Sequence, residues 1–519
     1  MAPADRKYSR RWKTLAVLSL SLVAIGLDNF ILNVALPTLQ REFEASGSEL
    51  QWMVDSYLLV FAGLLLPLGA LGDRIGRKRT LQSGLAIFGL ASAAAALADS
   101  TIAMVAARAA MGVGAALIMP STLSIITDVF PERERGKAIG IWAGMAALGI
   151  GLGPLAGGAL LEWASWEWVF LINVPVVVAG IALGLVLVPD SRDPAPGTFD
   201  APGAALSVGA LTALVFGLIE APDRGWLDAV VLAAFAAAIV LGACFVVRER
   251  RTQSPLLDVS LFSRPAFSLG SLAVSTTFFA LFGMIFLFTQ YLQFVQGAGA
   301  LEAGLKMTPM AVGLVLAASN SDRLVQRFGA PRLVSAAMLG IALLLATSVL
   351  WAPGTSYVLI GLFILGTTLF MGNVMAPATD SVMAAVPRAK AGVGSAMNDV
   401  NRMVAGALGV AVIGSIASSA YSSQVGDATS ALPPEAAAAA TDSVGAAVAV
   451  AARLPADVAQ PLSAAAGSAF TDALGVALLV GAGVLAVSGL AVRYLLPDRR
   501  EALEPAPGDA PVTAMHQTA

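Results

Sequence analysis

Between Leu15 and Leu39 the chain has no Lys or Arg and a single carboxylate, Asp28. Runs of this character recur to the end of the sequence. A hydrocarbon core about 30 Å thick is crossed by about 20 apolar helical residues. Such segments lie near 15–39, 50–71, 80–98, 102–126, 137–161, 167–188, 202–220, 228–247, 266–290, 303–322, 332–351, 356–384, 393–420 and 469–496, about fourteen in all. Each must satisfy its own backbone groups inside lipid, so the predicted class is an all-α polytopic membrane protein. Composition agrees, because only 13% of residues are charged, against about 25% in soluble chains.

The distribution of cations gives the expected orientation. With the first segment starting in the cytoplasm and the rest alternating, nearly all of the 31 Lys and Arg face the cytoplasm. The exceptions are Arg41, Arg224, Lys306 and Arg453, with Arg108 and Arg402 inside segments. Both termini are therefore expected inside, in the manner of the positive-inside rule. The basic residues 1–13 precede a run too long for a cleaved signal core, so the first helix is read as retained.

Internal similarity suggests the domains. Pro120–Pro131 followed by Gly136 and Gly140 resembles Pro377–Pro387 followed by Gly392 and Gly394, and LGDRIGRKRTL (71–81) has an echo in SDRLVQRFGAPRLV (321–334). Two parallel six-helix bundles, 14–190 and 263–497, are predicted, with two linker helices between them in 191–262. Repeats of this kind place a binding cavity at their interface and work by rocking. The Ala-rich tract 422–468 reads as an external loop with some amphipathic helix, and 498–519 as a disordered cytoplasmic tail.

Several chemistries are disfavoured. One Cys, Cys244, and one His, His516, leave no zinc-type cluster. Cys244 lies in an apolar run and reads as packed, while His516 sits in the polar tail. There is no G-x-x-x-x-G-K-[ST] phosphate loop, so neither an enzyme nor an ATP-driven pump is expected. No metal or other cofactor is expected, and no nucleic-acid partner.

The charged residues within segments carry the functional expectation. A charge at the bilayer centre costs about 2.5–3.5 kcal/mol on insertion scales, so it is kept for use. Asp28, in LDNFILNVALP, is the leading candidate, read as a protonatable or cation-binding group facing an aqueous cavity, with Pro37 ending or loosening its helix. Arg108 requires a carboxylate opposite, Asp28 first and Asp55 second. A purely structural ion pair is the alternative. Asp55, with Trp52 and Tyr57, lies near a segment end and either snorkels or lines the cavity. Asn398, Asp399, Asn401 and Arg402 form the deep polar cluster of the second half, where Asp399 and Arg402 either neutralise each other or line the cavity. Asp380 reads as structural. In GALGDRIGRKRTL (69–81), Gly72 and Gly76 permit a sharp turn, Asp73 is placed to meet a helix N-terminus, and Arg77, Lys78 and Arg79 anchor one face. Gly149, Gly153 and Gly157 are four apart and allow close helix packing, with Pro154 adding a kink. Phe30, Trp52, Tyr57, Phe279, Phe282, Phe286 and Met397 are candidates for an adaptable cavity wall.

Taken together and in order, these stretches resemble the fourteen-spanner drug:proton antiporters of the major facilitator superfamily. The likeness extends to G-x-x-x-G-P-x-x-G-G (149–158), WEWVFLINVP (166–175), SPLLDVSLF (254–262), YLQFVQG (291–297) and SAMNDVNRMVAGALGVAVIGS (395–415). It departs at Met111, where the family usually has Gln, at Glu167 and at Leu314. The resemblance implies that Asp28, Asp55 and Arg108 serve proton coupling and cation binding, and Asp399, from its place in the deep polar cluster, is a further candidate for a titrating acid. It implies a conformational switch in the loop of Gly69, Asp73, Arg74, Gly76, Arg77 and Lys78. By the same resemblance Gly149, Gly153, Pro154, Gly157 and Gly158 would form the antiporter motif, while Asn398 and Arg402 stay candidates for cavity lining from their place in the polar cluster. The expectation is a monomeric exporter of amphipathic cations in a bacterial cytoplasmic membrane, exchanging them for protons. A dedicated exporter of one self-made metabolite, and a flippase or uncoupled membrane protein, are the alternatives.

Overall fold

The computed structural model describes residues 10–192, 200–252, 259–386, 391–430 and 432–496. Arg6, Lys7, Arg388, Lys390, the start of SPLLDVSLF and the tail 498–519 with Arg499, Arg500 and His516 lie outside them. The described residues form helices and short connections, with no strand among them.

In chain order the helices are α1 (Arg11–Phe43), α2 (Gly47–Ile75), α3 (Arg77–Ala96), α4 (Thr101–Val129), α5 (Glu132–Trp163), α6 (Trp168–Leu171), α7 (Asn173–Leu187), α8 (Ala201–Arg224) and α9 (Ala229–Arg251). There follow α10 (Pro265–Gln290), α11 (Ala300–Lys306), α12 (Pro309–Phe328), α13 (Ala330–Thr347), α14 (Tyr357–Ala385), α15 (Ala391–Thr429), α16 (Pro434–Asp442), α17 (Val444–Ala451) and α18 (Ala456–Leu495). Twelve helical segments among the described residues are long and apolar enough to cross a membrane, against the fourteen expected. The long helices α3 and α5 are outside that set and pack against α4 and α1.

Chain punctuation follows local chemistry. At the start of α2, Ser46 accepts from the Glu49 N–H while the Glu49 carboxylate accepts from the Ser46 N–H, satisfying two groups the helix cannot. Gly76 (φ 112°) ends α2 and opens α3, and Gly329 (φ 80°) does the same between α12 and α13. Both turns need a residue free of the Cβ penalty at positive φ, so the repeated sequence pattern repeats a backbone shape. Pro37 does not end α1, which continues to Phe43 and closes at Glu44.

Packing joins α1 to α5, α2 to α4, α10 to α15, α12 to α14 and α13 to α18. Helix α8 lies against both α2 and α15, with α9 on its outer side. Only Val231 and Glu249 of α9 are fully buried, and Cys244 is exposed rather than packed inside.

The bundle has two distinguishable ends, marked by Glu44 and by Gly76. At the Glu44 end, the Gln293 amide donates to the Val34 carbonyl at 2.8 Å, and Gly158 and Gly304 sit against the backbones of Ala300 and Pro154. These contacts seal α1 and α5 to α11 and to the helical turn Tyr291–Val295 that follows α10. The tract expected as a loop is largely helical: α15 runs to Thr429, and α16 and α17 lead into α18. It is clasped to the bundle where Gln40 donates to Ser443 Oγ at 2.7 Å and the Gly47 N–H donates to the Asp442 carboxylate at 3.2 Å.

Burial, reinforced by Asp223, pushes the Asp442 carboxyl above its ordinary value. Its folded form therefore takes up a proton more readily than the unfolded chain does, and this contribution is present in acid and lost as pH rises. Asp442→Asn keeps an acceptor for Gly47 without the charge. It is expected to raise the thermal midpoint of the purified protein at pH 8 by about 2 °C. The gain should vanish as pH falls toward about 4, and thermal scans at both pH values check it.

Candidate functional site: a buried ion pair beside the α1–α5 contact

Two glycines of α4 let its neighbours close in. A side chain at Gly112 would meet the Tyr57 carbonyl of α2, and one at Gly114 the backbone of Phe88 on α3. One turn earlier on α4 lies Arg108, 1% exposed. Its Nη1 meets Asp28 Oδ2 at 2.5 Å, its Nε donates to the Met53 carbonyl at 3.1 Å, and its guanidinium lies over the Tyr57 ring, 4.4 Å from the centroid. Met111, where the resemblance leads one to expect Gln, brings its sulfur to 3.8 Å from the same Nη1. Carboxylate and carbonyl thus take N–H groups on the edge of one planar cation while the aromatic ring takes its face.

Asp28 is 0% exposed. It points into the packing of α1, α2, α4 and α7, so the expected aqueous cavity does not reach it in this conformation. Its second oxygen, Oδ1, accepts from Asn173 of α7 at 3.4 Å. Asp55 is also 0% exposed rather than snorkelling, and neither of its oxygens has a hydrogen-bond partner. Arg108 is paired with Asp28, not with Asp55.

Tyr57 is fully buried beneath Arg108 and lines no open space. Trp52 turns away from the centre: its indole N–H donates to Glu220 of α8 at 3.2 Å, and its ring lies 6.1 Å from Phe216. Both depart from the expected cavity wall because α2 is rotated to place Met53 and Tyr57, not Trp52, against Arg108.

The aromatic residues that bridge the bundle are Phe30 of α1 and Phe282 of α10, with ring centroids 5.5 Å apart. Phe278 follows at 5.9 Å from Phe282, and Arg402 of α15 lies 5.5 Å over Phe278. The sequence reading chose Phe279 and missed Phe278. The spacing of Phe278, Phe282 and Phe286, four apart on one helical face, was the available signal. Phe286 instead borders a cavity of about 30 Å³ near the Glu44 end, with Gln51, Gln290, Tyr421 and Asp442.

Met397 and Asn398 are buried. Arg402 and Asp399 face each other at 3.8 Å, and Arg402 Nη2 donates to Thr379 at 3.3 Å. Asn398 Oδ1, Asn401 Nδ2 and Arg402 Nε have no hydrogen-bond partner. This cluster combines partial neutralisation with spare polar capacity.

The loop at the Gly76 end is tightly held. Asp73 accepts from Nε of Arg77, the first residue of α3, at 2.8 Å. Arg77 also reaches the Ser124 carbonyl and Ser191 Oγ, its own N–H donates to the Ser191 carbonyl, and Lys78 donates to the Leu185 carbonyl. Arg74 is exposed. Gly69 lies against Pro120, which ties α2 to α4.

Helix α5 is gripped on two sides. Side chains at Gly149, Gly153 and Gly157 would strike Gly26, Phe30 and Ile31 of α1. Gly158 and the Pro154 carbonyl instead meet α11. The glycines therefore fix α1 on the stretch that carries Asp28. Gly304, the partner on α11, was not singled out in the sequence. Among the described residues no group of His, Cys, Asp and Glu could hold a metal.

Residues 18–410 match the Major Facilitator Superfamily. The chain is 39% identical to the multidrug efflux pump LfrA of Mycolicibacterium smegmatis, over 88% of this chain and 90% of that protein. It is 35% identical to the tetracenomycin C resistance and export protein of Streptomyces glaucescens, over 82% and 78% respectively. In fold it is similar to a bacterial homologue of the human lysosomal transporter Spinster, with TM-score 0.67 and 20% identity, covering 98% of this chain and 100% of that one. A multi-pass helical membrane protein with these matches belongs to the major facilitator superfamily.

Proposed function

We propose that this chain is a proton-coupled antiporter that exports amphipathic, cationic organic compounds across a bacterial cytoplasmic membrane. The observation that carries this reading is the buried Asp28–Arg108 pair, held on α1 where α5 and the Phe30–Phe282 bridge also meet. Relatives named for multidrug efflux and for antibiotic resistance support the substrate class.

The rest of the architecture follows from the same reading. Helices α3 and α5 also cross, which gives fourteen spans: two six-helix bundles with α8 and α9 as linkers. The Lys and Arg distribution supports a cytoplasmic Gly76 end with both termini on the same side, and the reading takes the protein as a monomer.

Burying a carboxylate without a donor is costly, so Asp55, with neither oxygen hydrogen-bonded, is the proton site of this reading, while Asp28 is paired with Arg108. A substrate cation gains a site at Asp28 only when Arg108 lets go, which couples the exchange to rearrangement of α1 and α4. One proton exchanged for one monocation leaves the membrane potential unused. Two protons add the electrical term, about 2.3 kcal/mol per 100 mV and per charge, and Asp55 and Asp399 provide the further sites.

The test is ethidium efflux from liposomes of purified protein, with and without an imposed pH gradient. Gradient-driven efflux that disappears in Asp28→Asn is expected. Efflux indifferent to the gradient, or intact in that variant, overturns the reading. The relative named for tetracenomycin C export favours a second reading, a dedicated exporter of one metabolite. Under it ethidium stays put while a single compound moves on the gradient.

A further inference from the structure

Asp28 has two oxygens, and Arg108 meets only one of them. The other belongs to a chain of polar groups running away from the ion pair. Asn173 Nδ2 lies 3.4 Å from Asp28 Oδ1 and 3.2 Å from Ser92 Oγ. The Ser92 hydroxyl in turn donates to the Phe170 carbonyl at 2.8 Å. All three side chains are buried: Asp28 and Ser92 are 0% exposed and Asn173 is 1% exposed.

The direction of this chain is fixed from its far end. A backbone carbonyl can only accept, so the Ser92 proton is spent on Phe170 and the hydroxyl presents a lone pair to Asn173. Asn173 must then turn its NH₂, not its carbonyl oxygen, toward Ser92. The same NH₂ has a second hydrogen, and that hydrogen faces the carboxylate. Three helices, α1, α3 and α7, and the Phe170 turn of α6 are tied together through one amide.

We propose that Asn173 is a positioning residue for Asp28: its amide, oriented through Ser92 by the Phe170 carbonyl, holds the carboxylate in the rotamer that meets Arg108. The proposal rests on the reading of Asp28 as the coupling acid, and it adds a residue that the exporter needs without its touching the substrate. Through Asn173, the position of α7 is felt at the ion pair. A shift of α7 relative to α1 removes one of the two anchors of the carboxylate.

Asn173→Asp has the same shape but replaces the donor with an oxygen facing the Asp28 carboxylate. At pH 8 it is expected to lower gradient-driven ethidium efflux by about tenfold, the loss of a hydrogen bond to a charged group. It should also lower the thermal midpoint by several degrees. In the Asp28→Asn background the side chain at 28 becomes an amide that can donate to the new carboxylate, so adding Asn173→Asp should leave the midpoint of Asp28→Asn unchanged or higher. Ser92→Ala frees the amide to rotate and should lower efflux by about three- to fivefold.

A residue that only fills space gives a different result. Asn173→Asp then behaves as wild type, or shifts the midpoint equally with and without Asp28→Asn, and either outcome overturns the proposal. If wild-type protein moves no ethidium on the gradient, the exporter reading fails for that substrate. The four-way comparison of thermal midpoints still decides whether Asn173 acts through Asp28.

Discussion

Arg108→Ala is expected to abolish gradient-driven efflux and to cut sharply the amount of folded protein recovered from membranes. The reason is what it leaves behind. Asp28 is 0% exposed, and removing one partner of a buried pair strands the other at a cost of about 3–5 kcal/mol. The Met53 carbonyl and the face of Tyr57 lose their cation as well. Adding Asp28→Asn removes the stranded charge, so the double variant should recover folded protein but not transport, a coupling larger than independent sites allow. Arg108→Lys is not conservative here. A point charge cannot bond the carboxylate, reach the Met53 carbonyl and lie flat on Tyr57 at once. Fluorescence-detected size exclusion measures the folded fraction, and the liposome assay measures transport. Efflux surviving in Arg108→Ala would remove the ion pair from the mechanism.

Gly149→Leu is the second large effect. A Cβ at this position already collides with the Gly26 and Leu27 backbone of α1, and backbone cannot rotate away as a side chain can. Overfilling a packed contact costs about 1–3 kcal/mol when side chains can give, and here the collision is with a main chain. The variant is expected to lose more than nine-tenths of efflux, roughly the tenfold that 1.4 kcal/mol represents, because α1 is displaced where it carries Asp28. Gly304→Leu strikes the Pro154 carbonyl from α11 and should reduce efflux comparably. Gly354→Leu, where nothing lies within reach of a Cβ, is the control expected to transport normally. Equal losses in all three would show that the contacts at Gly149 and Gly304 carry no special weight.

The helical segments were legible because membrane burial writes itself into composition. Asp28 and Arg108 stood out because charge in an apolar run is conspicuous. Asn173 and Ser92 did not: small polar residues are common in such segments, and nothing local says which of them meets a carboxylate on another helix. Trp52 was misplaced for a related reason. Its aromatic ring beside Asp55 suggested a cavity wall, whereas helix rotation sends it to Glu220 on α8. Register along α10 would have named Phe278. Gly304 needed the structure, since its meaning lies in the Pro154 carbonyl that it faces.

The seal at the Glu44 end is made of glycine against backbone and of neutral amide hydrogen bonds joining α1 and α5 to α11 and to the turn after α10. The Gly76 end is held by ion pairs, Asp73 with Arg77, Glu134 with Arg11 and Asp200 with Arg248. Dissolved ions screen exposed and half-exposed charges but leave close packing untouched. Raising ionic strength therefore loosens the ion pairs that hold the Gly76 end, while at the Glu44 end it reaches the exposed Arg453–Glu44 pair but not the close glycine packing that makes the closure.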